Sequence, residues 1–494
     1  MTDERRDLEL LDDDQRLIAE GIRDLCAAYD DDYWARCDRE HEFPWEFYGK
    51  LAEGGWVGLC IPEEFGGGGR GITDGAVMLH EIARSGAAMN GCSAVHLTLF
   101  GLNPVVKFGN DKLRETFLPR AAAGDLHVAF GVTEPDAGTD TGRISTRAEP
   151  DGKGGWHITG RKVWTTKALE SEVVLLIART GPKESGLKGL SLFLADLDRD
   201  YVDIRAIPKV GRNAVASCEI AYDGLPVESW RLIGEENEGF RLLLHGLNPE
   251  RVLLASEACG IGEVALDRAV RYARERIVFE RPIGANQAIS HPLAQAHTQL
   301  RAAWMMALHA GRRYDAGLDC GEEANTAKYL AAEAAFLAAD RAVQTLGGMG
   351  YASEYHVERY WREARLQKIA PVSPYGLVRS QRSSVSSYFE SAYGYTVMIG
   401  PKSSSLSSLK SGFLVSISVG RMNQPSLESP LPPAITLASS AFFAKSIAFM
   451  CLDQALPSIT APMKLRKSAT SPCGIASIRS TSSDLIDFQI DCGM

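Results

Sequence analysis

The chain has 494 residues, a net charge of −10, ten cysteines and ten histidines. A chain of this length can bury several layers of structure and form more than one domain. Its acidic balance argues against nucleic acid or an anionic membrane as the main partner. The cysteines form no CxxC pair and the histidines form no HxH or HExxH pattern. These spacings indicate the reduced thiols of a cytoplasmic protein and no metal site.

The chain order of the predicted elements is helix, strand, helix. Residues 1–125 are predicted to be mostly helical, because their apolar residues recur at helical spacing. From 126 to 238 short strand-like runs are separated by Gly, Pro and Asp. From 239 to 373 amphipathic helices rich in Ala, Leu, Glu and Arg return. This order predicts an α+β fold in which a β domain lies between two helical domains.

The composition changes abruptly after Ser373. Residues 374–494 contain 26 serines against 12 in the preceding 373 residues, and their 10 basic residues outnumber 6 acidic ones. One interpretation is a Ser-rich, disordered tail. The other is a displaced reading frame whose product was never selected to fold, and the abruptness of the change favours it. Resequencing the locus distinguishes the two, because a displaced frame leaves an intact alternative frame that continues the helical pattern.

Two segments combine hydroxyls, small residues and one indole. Gly131–Asp140 reads GVTEPDAGTD and Arg161–Thr166 reads RKVWTT, and we expect two β-type runs joined by a turn at Gly152–Gly155. Glycine and alanine would let backbone amides approach a flat aromatic cofactor, threonines would bond its heteroatoms, and tryptophan would cover one face. On chemistry alone, such a pattern more often forms ordinary turns at strand ends.

Two further segments, Arg274–Gln287 (RERIVFERPIGANQ) and Gln344–Tyr351 (QTLGGMGY), complete a resemblance. In order and spacing the four segments resemble the acyl-CoA dehydrogenase family, and the likeness covers residues 10–373. It implies an N-terminal helical domain, a middle β-barrel or sandwich domain and a C-terminal four-helix bundle. It also implies FAD as the cofactor, a homotetramer or dimer of dimers, and a role in fatty acid β-oxidation.

The resemblance also implies site residues. One group would line the flavin ring system, and it consists of Phe130, Val132, Thr133, Gly138, Thr139, Trp164 and Thr166. In this group Thr139 would also touch the CoA arm, Trp164 would cover the ring and Thr166 would form a hydrogen bond near N5. A second group would reach the pyrophosphate and adenosine of FAD in a neighbouring subunit; it consists of Arg276, Phe279, Gln287, Gln344, Gly347 and Gly348. A guanidinium suits pyrophosphate and a Gly-Gly pair admits close backbone. Taken singly, Arg276 could be a solvated helix charge, Trp164 an interface core residue and Gly347-Gly348 a helix terminator.

The implied reaction is α,β-dehydrogenation of an acyl-CoA thioester, in which a carboxylate takes the α-proton while hydride leaves for flavin N5. Many family members carry this glutamate in a loop after the last bundle helix, where this chain has Pro371, which cannot accept a proton. Other members carry it on a bundle helix, and the matching residue is Glu250, in an apolar run that would raise its pKa. Pro249 suits a helix start or kink just before it. Asn248 and Arg251 would hold the CoA–pantetheine arm, and the alternative for Glu250 is a structural ion pair with a nearby arginine.

The sequence therefore predicts an FAD-dependent acyl-CoA dehydrogenase that passes electrons to an electron-transfer flavoprotein. The alternative among enzymes is a flavin oxidase or monooxygenase on the same scaffold. The alternative outside enzymes is a catalytically impaired relative, in which the altered C-terminal tail prevents assembly and cofactor retention.

Overall fold

The computed structural model describes residues 10–370 and four strands after residue 394. The chain divides into two compact units, Met1–Ser380 and Gln381–Met494. Within the described residues of the first unit, helices come first, strands follow and helices return. This order confirms the predicted α+β class.

The helices that precede the first strand begin with a well-capped element. They are α1 (Asp13–Cys26), α2 (Asp31–Glu40), α3 (Trp45–Glu53), α4 (Ile72–Ile82), α5 (Ala88–Phe100), α6 (Asn103–Phe108) and α7 (Asp111–Ala122). Asp12 starts α1 with a capping box: its carboxylate accepts from Gln15 N at 2.9 Å, and the Gln15 side chain accepts from Asp12 N at 3.3 Å. A π-helical turn, Ala83–Ala87, joins α4 to α5, and its Gly86 has a φ of 105° that favours glycine.

Eight strands form one sheet in the middle of the first unit. They are β1 (Val128–Gly131), β2 (Arg147–Pro150), β3 (Trp156–Thr166), β4 (Val173–Arg179), β5 (Leu190–Asp196), β6 (Val202–Ala206), β7 (Ser217–Val227) and β8 (Leu232–Ile233). The sheet order is β6-β7-β3-β2-β4-β5-β8, and β1 pairs in parallel with β4. Because β4 and nearly all of β5 are buried on both faces, these two strands form the centre of the domain.

The glycine-rich turn at Gly152–Gly155 closes the hairpin between β2 and β3. Asp151 stabilises it by accepting from Lys153 N at 2.7 Å and from Gly155 N at 2.9 Å. The prediction that this turn joins two β-type runs, Gly131–Asp140 and Arg161–Thr166, is therefore wrong. The first segment leaves the sheet after Gly131, and its remaining residues form a turn against β3.

Long helices build the rest of the first unit. They are α8 (Gly239–Glu275), α9 (Gln287–Asp315), α10 (Gly321–Leu346), the single turn α11 (Gly348–Tyr351) and α12 (Val357–Gln367). A short hairpin, β9 (Ile277–Val278) with β10 (Arg281–Pro282), separates α8 from α9. None of the helices in the described part of the chain has the length and apolar character that crossing a membrane requires.

Of the two roles predicted for Pro249, a helix start or a kink, the helix start is wrong, because Pro249 lies inside α8, ten residues after its first residue. A proline in a helix interior leaves the carbonyl four residues earlier without its donor, here the carbonyl of His245. The Tyr314 hydroxyl of α9 donates to that carbonyl at 3.1 Å. The neighbouring helix thus provides the hydrogen bond that proline cannot make, and α8 continues through it.

One hydrophobic core runs through both helical regions of the first unit. It includes Trp34 of α2 and Leu253 of α8. Asp315, at the end of α9, also caps α4: its carboxylate accepts from Ile72 N at 2.7 Å, Thr73 N at 2.9 Å and the Thr73 hydroxyl at 2.6 Å. Helices that lie far apart in the sequence therefore share one core.

The second unit contains a four-stranded antiparallel sheet. Its strands are β11 (Tyr395–Pro401), β12 (Val415–Arg421), β13 (Ile478–Thr481) and β14 (Leu485–Phe488), in the order β11-β12-β14-β13. The predicted disorder of 374–494 falls mostly on residues outside those described. The displaced reading frame stays a hypothesis.

Candidate active site

A buried ion pair joins the two segments from which the resemblance begins. Lys162 of β3 donates to Glu134 at 2.9 Å and to the carbonyl of Val132 at 3.0 Å. Glu134 also accepts from Ser145 N at 2.7 Å and Thr146 N at 2.9 Å. Burial alone would raise the pKa of Glu134, but Lys162 and these hydrogen bonds lower it to about 2. The pair fixes the segment Gly131–Asp140 against β3.

Trp164 lies on an irregularity of β3 that turns its side chain outward. The pairing of β3 with β7 shifts register between Lys162 and Thr165, and Trp164 adopts a φ of 61°. Its side chain is 56% exposed, which excludes the alternative that it is a core residue at a domain interface. Next to it, the backbone N of Val163 donates to the carbonyl of Thr133 at 2.9 Å.

The first predicted group is brought together along β1 and β3. Phe130 is the penultimate residue of β1 and packs edge-on against Phe100 of α5, with ring centroids 5.7 Å apart. Gly138 and Thr139 are exposed, and a Cβ on Gly138 would meet no atom within 4 Å. The members of this group, Phe130, Val132, Thr133, Gly138, Thr139, Trp164 and Thr166, thus lie on two segments held in contact by the Lys162–Glu134 pair.

Thr166 contacts a buried arginine that sequence reasoning did not single out. The Arg212 guanidinium donates to the hydroxyls of Thr166 and of Ser93, each at 3.3 Å, and also to the hydroxyl of Ser217. Burial lowers the pKa of Arg212 to about 10, so the side chain is a cation at neutral pH. Through Ser93 this contact links β3 to α5.

Glu250 lies on α8 with its carboxylate buried. It is 8% exposed, and its Oε2 has no hydrogen-bond partner among the described residues. Burial raises its pKa to about 7, while Arg251 and Lys328 act to lower it. The alternative of an ion pair is not observed within the described residues, since Arg251 donates to Asn248 at 2.8 Å instead.

A second buried acid and two buried bases surround the same part of α8. Glu257, two helical turns after Glu250, lies 2.8 Å from His96 Nδ1 of α5. Lys328 of α10 is fully buried, and its ammonium donates to the carbonyl of Gln367. Burial lowers the pKa of Lys328 to about 8, against the opposing effect of Glu250 and Glu257. Lys328 is therefore a buried cation that acts electrostatically on Glu250 and Glu257 without a direct ion pair to either among the described residues.

The predicted substrate-binding pair, Asn248 and Arg251, flanks Glu250 on the same helix. Each is partly buried, and the Arg251 guanidinium donates to Asn248 Oδ1 at 2.8 Å. Burial lowers the pKa of Arg251, while Glu250 acts to raise it.

The second predicted group lies apart from the first, on exposed surface. Its members are Arg276, Phe279, Gln287, Gln344, Gly347 and Gly348. Phe279 is 92% exposed on the β9–β10 hairpin, and Tyr272 at the end of α8 contacts Tyr355 after α11 with ring centroids 6.4 Å apart. Gly347 has a φ of 61° and ends α10, as the helix-terminator alternative requires. Within one chain, no hydrogen bond, ion pair or ring contact of the described residues joins this group to the residues around Trp164.

Lys162 and Arg212 are the residues of this region that the sequence analysis missed. Lys162 could have been found, because Trp156, Ile158 and Lys162 alternate inward along β3 and a lysine on a buried face needs a partner. Arg212 gave no such signal, since it lies in a loop.

The arrangement combines a buried, unpartnered carboxylate with a hydroxyl-rich strand, and comparisons with known proteins agree with it. Residues 12–125, 129–225 and 237–371 match, in turn, the N-terminal, middle and C-terminal domains of acyl-CoA dehydrogenase. The chain belongs to the acyl-CoA dehydrogenase family. This confirms the predicted family and identifies an oxidoreductase.

Individual relatives show how far the similarity extends. The chain is 35% identical over 369 residues to acyl-CoA dehydrogenase FadE12 of Mycobacterium tuberculosis (strain ATCC 25618 / H37Rv), covering 73% of this chain and 93% of that protein. It is 33% identical over 334 residues to the 3-(aryl)acrylate reductase of Clostridium sporogenes (strain ATCC 15579), covering 67% and 87%. The structure of butyryl-CoA dehydrogenase from Megasphaera elsdenii aligns with a TM-score of 0.73 at 26% identity, covering 76% of this chain and 98% of that one.

The other possible base position considered from the sequence falls on Pro371, which lies outside the described residues. Glu250 is the candidate base within them.

Proposed function

We propose that this protein catalyses FAD-dependent α,β-dehydrogenation of an acyl-CoA thioester, with Glu250 as the base that removes the α-proton. The state of Glu250 carries the proposal: its carboxylate is buried, its Oε2 is unpartnered among the described residues, and burial raises its pKa to about 7. A base is most effective when its pKa lies near the working pH. An unpartnered carboxylate is also free to accept a proton from a bound substrate.

The residues near Trp164 fit a flavin ring. The surface beside Gly138 leaves room for a flat group, since even a Cβ there would meet nothing within 4 Å. Arg212 donates to Thr166, so the Thr166 hydroxyl accepts from it and keeps its own hydrogen for a second partner. Bound at this position, FAD supplies the hydride acceptor for the substrate β-carbon.

The other residues of the proposed site bind and orient the substrate. Arg251 is a partly buried cation that donates to Asn248 at 2.8 Å, and its guanidinium is suited to binding the CoA–pantetheine arm. Thr139, exposed beside Gly138, would contact the same arm. Glu250 would then face the carbon next to the thioester, while α5 and α8 exclude water from its carboxylate.

The pKa of Glu250 also suits a second reaction, the reduction of a 2-enoyl thioester. A carboxyl group that titrates at about 7 holds a proton as readily as it accepts one, and can therefore protonate the α-carbon in the reverse direction. One relative of this chain is named 3-(aryl)acrylate reductase.

The experiment is anaerobic mixing of the full-length, FAD-loaded protein with straight, branched and aromatic acyl-CoA thioesters. The proposal expects bleaching of the flavin absorbance by at least one thioester and a product lighter by two hydrogens. If chemically reduced enzyme instead converts only enoyl thioesters, the reductase is the correct reaction. Oxygen consumption with hydroxylated product or peroxide indicates the monooxygenase or oxidase. A protein that takes up no FAD contradicts the whole proposal.

The proposed assembly is a homotetramer or dimer of dimers in which the second group reaches FAD in a neighbouring subunit. Its support is the exposure of large apolar side chains beside that group: Phe279 is 92% and Tyr351 86% exposed. Light scattering should give a particle mass four times that of a single chain. Phe279→Ser with Tyr351→Ser should lower both the mass and the FAD content, and a tetramer with full FAD content in that variant would contradict this arrangement.

The proposed electron acceptor is an electron-transfer flavoprotein, and the proposed compartment is the cytoplasm. Seven cysteines in the described part of the chain are free thiols, which suits a reducing compartment. Mixing the substrate-reduced enzyme with a purified electron-transfer flavoprotein under argon tests the partner, because the proposal expects reoxidation of the enzyme as the partner is reduced.

A further inference from the structure

Arg212 is a buried cation without a carboxylate partner. It lies in the loop between β6 and β7, is 6% exposed, and forms no direct ion pair within the part of the chain that the structure describes. Two buried acids, Glu257 and Glu363, favour its charged form without forming an ion pair with it. Burying an unpaired charge is costly, and buried arginines usually pair with acids. No carboxylate of the described residues neutralises Arg212 directly, so its charge can act on the groups that it contacts.

The loop holds Arg212 in a conformation that an arginine rarely adopts. Its φ is 58°, in the left-handed region. The following backbone groups fix this conformation: Asn213 N donates to Asp38 at 2.7 Å, and Ala214 N donates to Asn90 at 3.0 Å. Two buried side chains of the N-terminal helices thus keep the guanidinium in place.

The guanidinium contacts hydroxyl groups only. Its partners are Ser93 of α5, Thr166 of β3 and Ser217 of β7, and its Nε has no partner among the described residues. Arginine can only donate. Each of these hydroxyls must therefore accept from Arg212, and the hydrogen of Thr166 is directed away from the guanidinium.

We propose that Arg212 is a positioning residue for the flavin, which acts through Thr166 to make the N5 edge more electrophilic. The inference rests on the proposed function, in which Thr166 bonds near N5. Arg212 orients the Thr166 hydroxyl as a donor toward that edge and polarises it with a full positive charge. A positive charge near N5 tunes the flavin toward accepting electrons, and a low-dielectric surrounding strengthens the effect.

The test measures the flavin itself in the full-length, FAD-loaded protein, by its affinity for sulfite, which adds to N5, and by its midpoint potential. Arg212→Met should weaken sulfite binding at least tenfold and lower the two-electron potential by about 30 mV, the equivalent of tenfold. Arg212→Lys keeps the charge, so its affinity for sulfite should remain within about threefold of that of the natural protein. Unchanged sulfite affinity and potential in Arg212→Met would overturn the inference.

Two further comparisons separate positioning from stability. Ser217→Ala removes another partner of Arg212 and leaves Thr166 in place, so it should lower the melting temperature without moving the potential. Thr166→Val should shift the potential by itself, and adding Arg212→Met to it should add little, because both act through one hydroxyl. Fully additive effects would contradict the relay through Thr166. If Arg212→Met retains no FAD, Arg212→Gln takes its place with the same expected shift.

The outcomes distinguish this inference from the proposed function. A natural protein that binds no FAD overturns both. If acyl-CoA bleaches the flavin but the midpoint potential is the same in the natural protein and in Arg212→Met, only the role of Arg212 is overturned.

Discussion

Burial of the Glu250 carboxylate determines the pH at which it can accept a proton. Its pKa is raised to about 7, so the deprotonated form increases as pH rises through neutrality. The rate of flavin reduction by substrate should increase over the same range.

Lys328 offers a way to move that pH dependence. Its cation acts to lower the pKa of Glu250, and removing the cation therefore raises that pKa further. Lys328→Met should displace the pH profile of flavin reduction toward higher pH, measured by stopped flow from about pH 6 to about pH 9. Lys368→Met is the matched control, because Lys368 pairs with Glu333 on a partly exposed surface and should leave the profile in place. A profile unmoved by Lys328→Met would show that the titration belongs to another group.

At the scale of single elements, strand β3 depends on a buried ion pair that links it to the segment after β1. Lys162 is fully buried and joins Glu134 at 2.9 Å. Lys162→Met would leave the glutamate buried without its ion-pair partner, which costs about 3–5 kcal/mol of unfolding free energy. Urea denaturation should show this loss, and the double variant Lys162→Met with Glu134→Gln should recover part of it. Equal stability of the single variant and the natural protein would contradict this role.

Helix α8 continues through Pro249 because of one side chain on its neighbour. Tyr314 donates to the His245 carbonyl and accepts from Asn103 Nδ2 at 2.8 Å. Tyr314→Phe should destabilise the protein by about 1–3 kcal/mol, since it leaves buried polar groups unpaired. In the background of Pro249→Ala the loss should be smaller, because an alanine N–H can donate to that carbonyl. An equal loss in both backgrounds would exclude this account.

The sequence predicted these elements unevenly, for physical reasons. The segment around Trp164 and the helical carboxylate Glu250 were singled out through the order and spacing of four segments that resemble the acyl-CoA dehydrogenase family. Their residue chemistry alone favoured ordinary turns and a structural ion pair. The sequence left open whether Pro249 starts a helix or kinks one, because proline disrupts most helices, and the compensating Tyr314 lies 65 residues farther along the chain than Pro249. The turn at Gly152–Gly155 was identified correctly but assigned to the wrong pair of segments, because the chain leaves the sheet after Gly131 and forms a local turn at Glu134–Ala137.

At the scale of the whole molecule, the candidate site depends on contacts between distant parts of the chain. Ser93 and His96 of α5 touch Arg212 and Glu257 respectively, so α5 connects the region around Trp164 with the helix that carries Glu250. Neither contact follows from local periodicity, which explains why Arg212 escaped the sequence analysis. The fold could be predicted from composition and motif order, whereas the buried charges of the site required the packed structure.

Single-turnover flavin bleaching in a Glu250→Gln variant tests the central claim most directly. Glutamine keeps the shape of Glu250 but cannot accept the α-proton, so the variant should bind FAD normally and show bleaching slower than natural by at least about 10³-fold. Glu363→Gln is the matched control: Glu363 is equally buried and its pKa is also about 7, but its carboxylate accepts from Asn90 at 2.8 Å and from the backbone N of Met89. That control should bleach at nearly the natural rate. Bleaching at a near-natural rate in Glu250→Gln would contradict the assignment of Glu250 as the base.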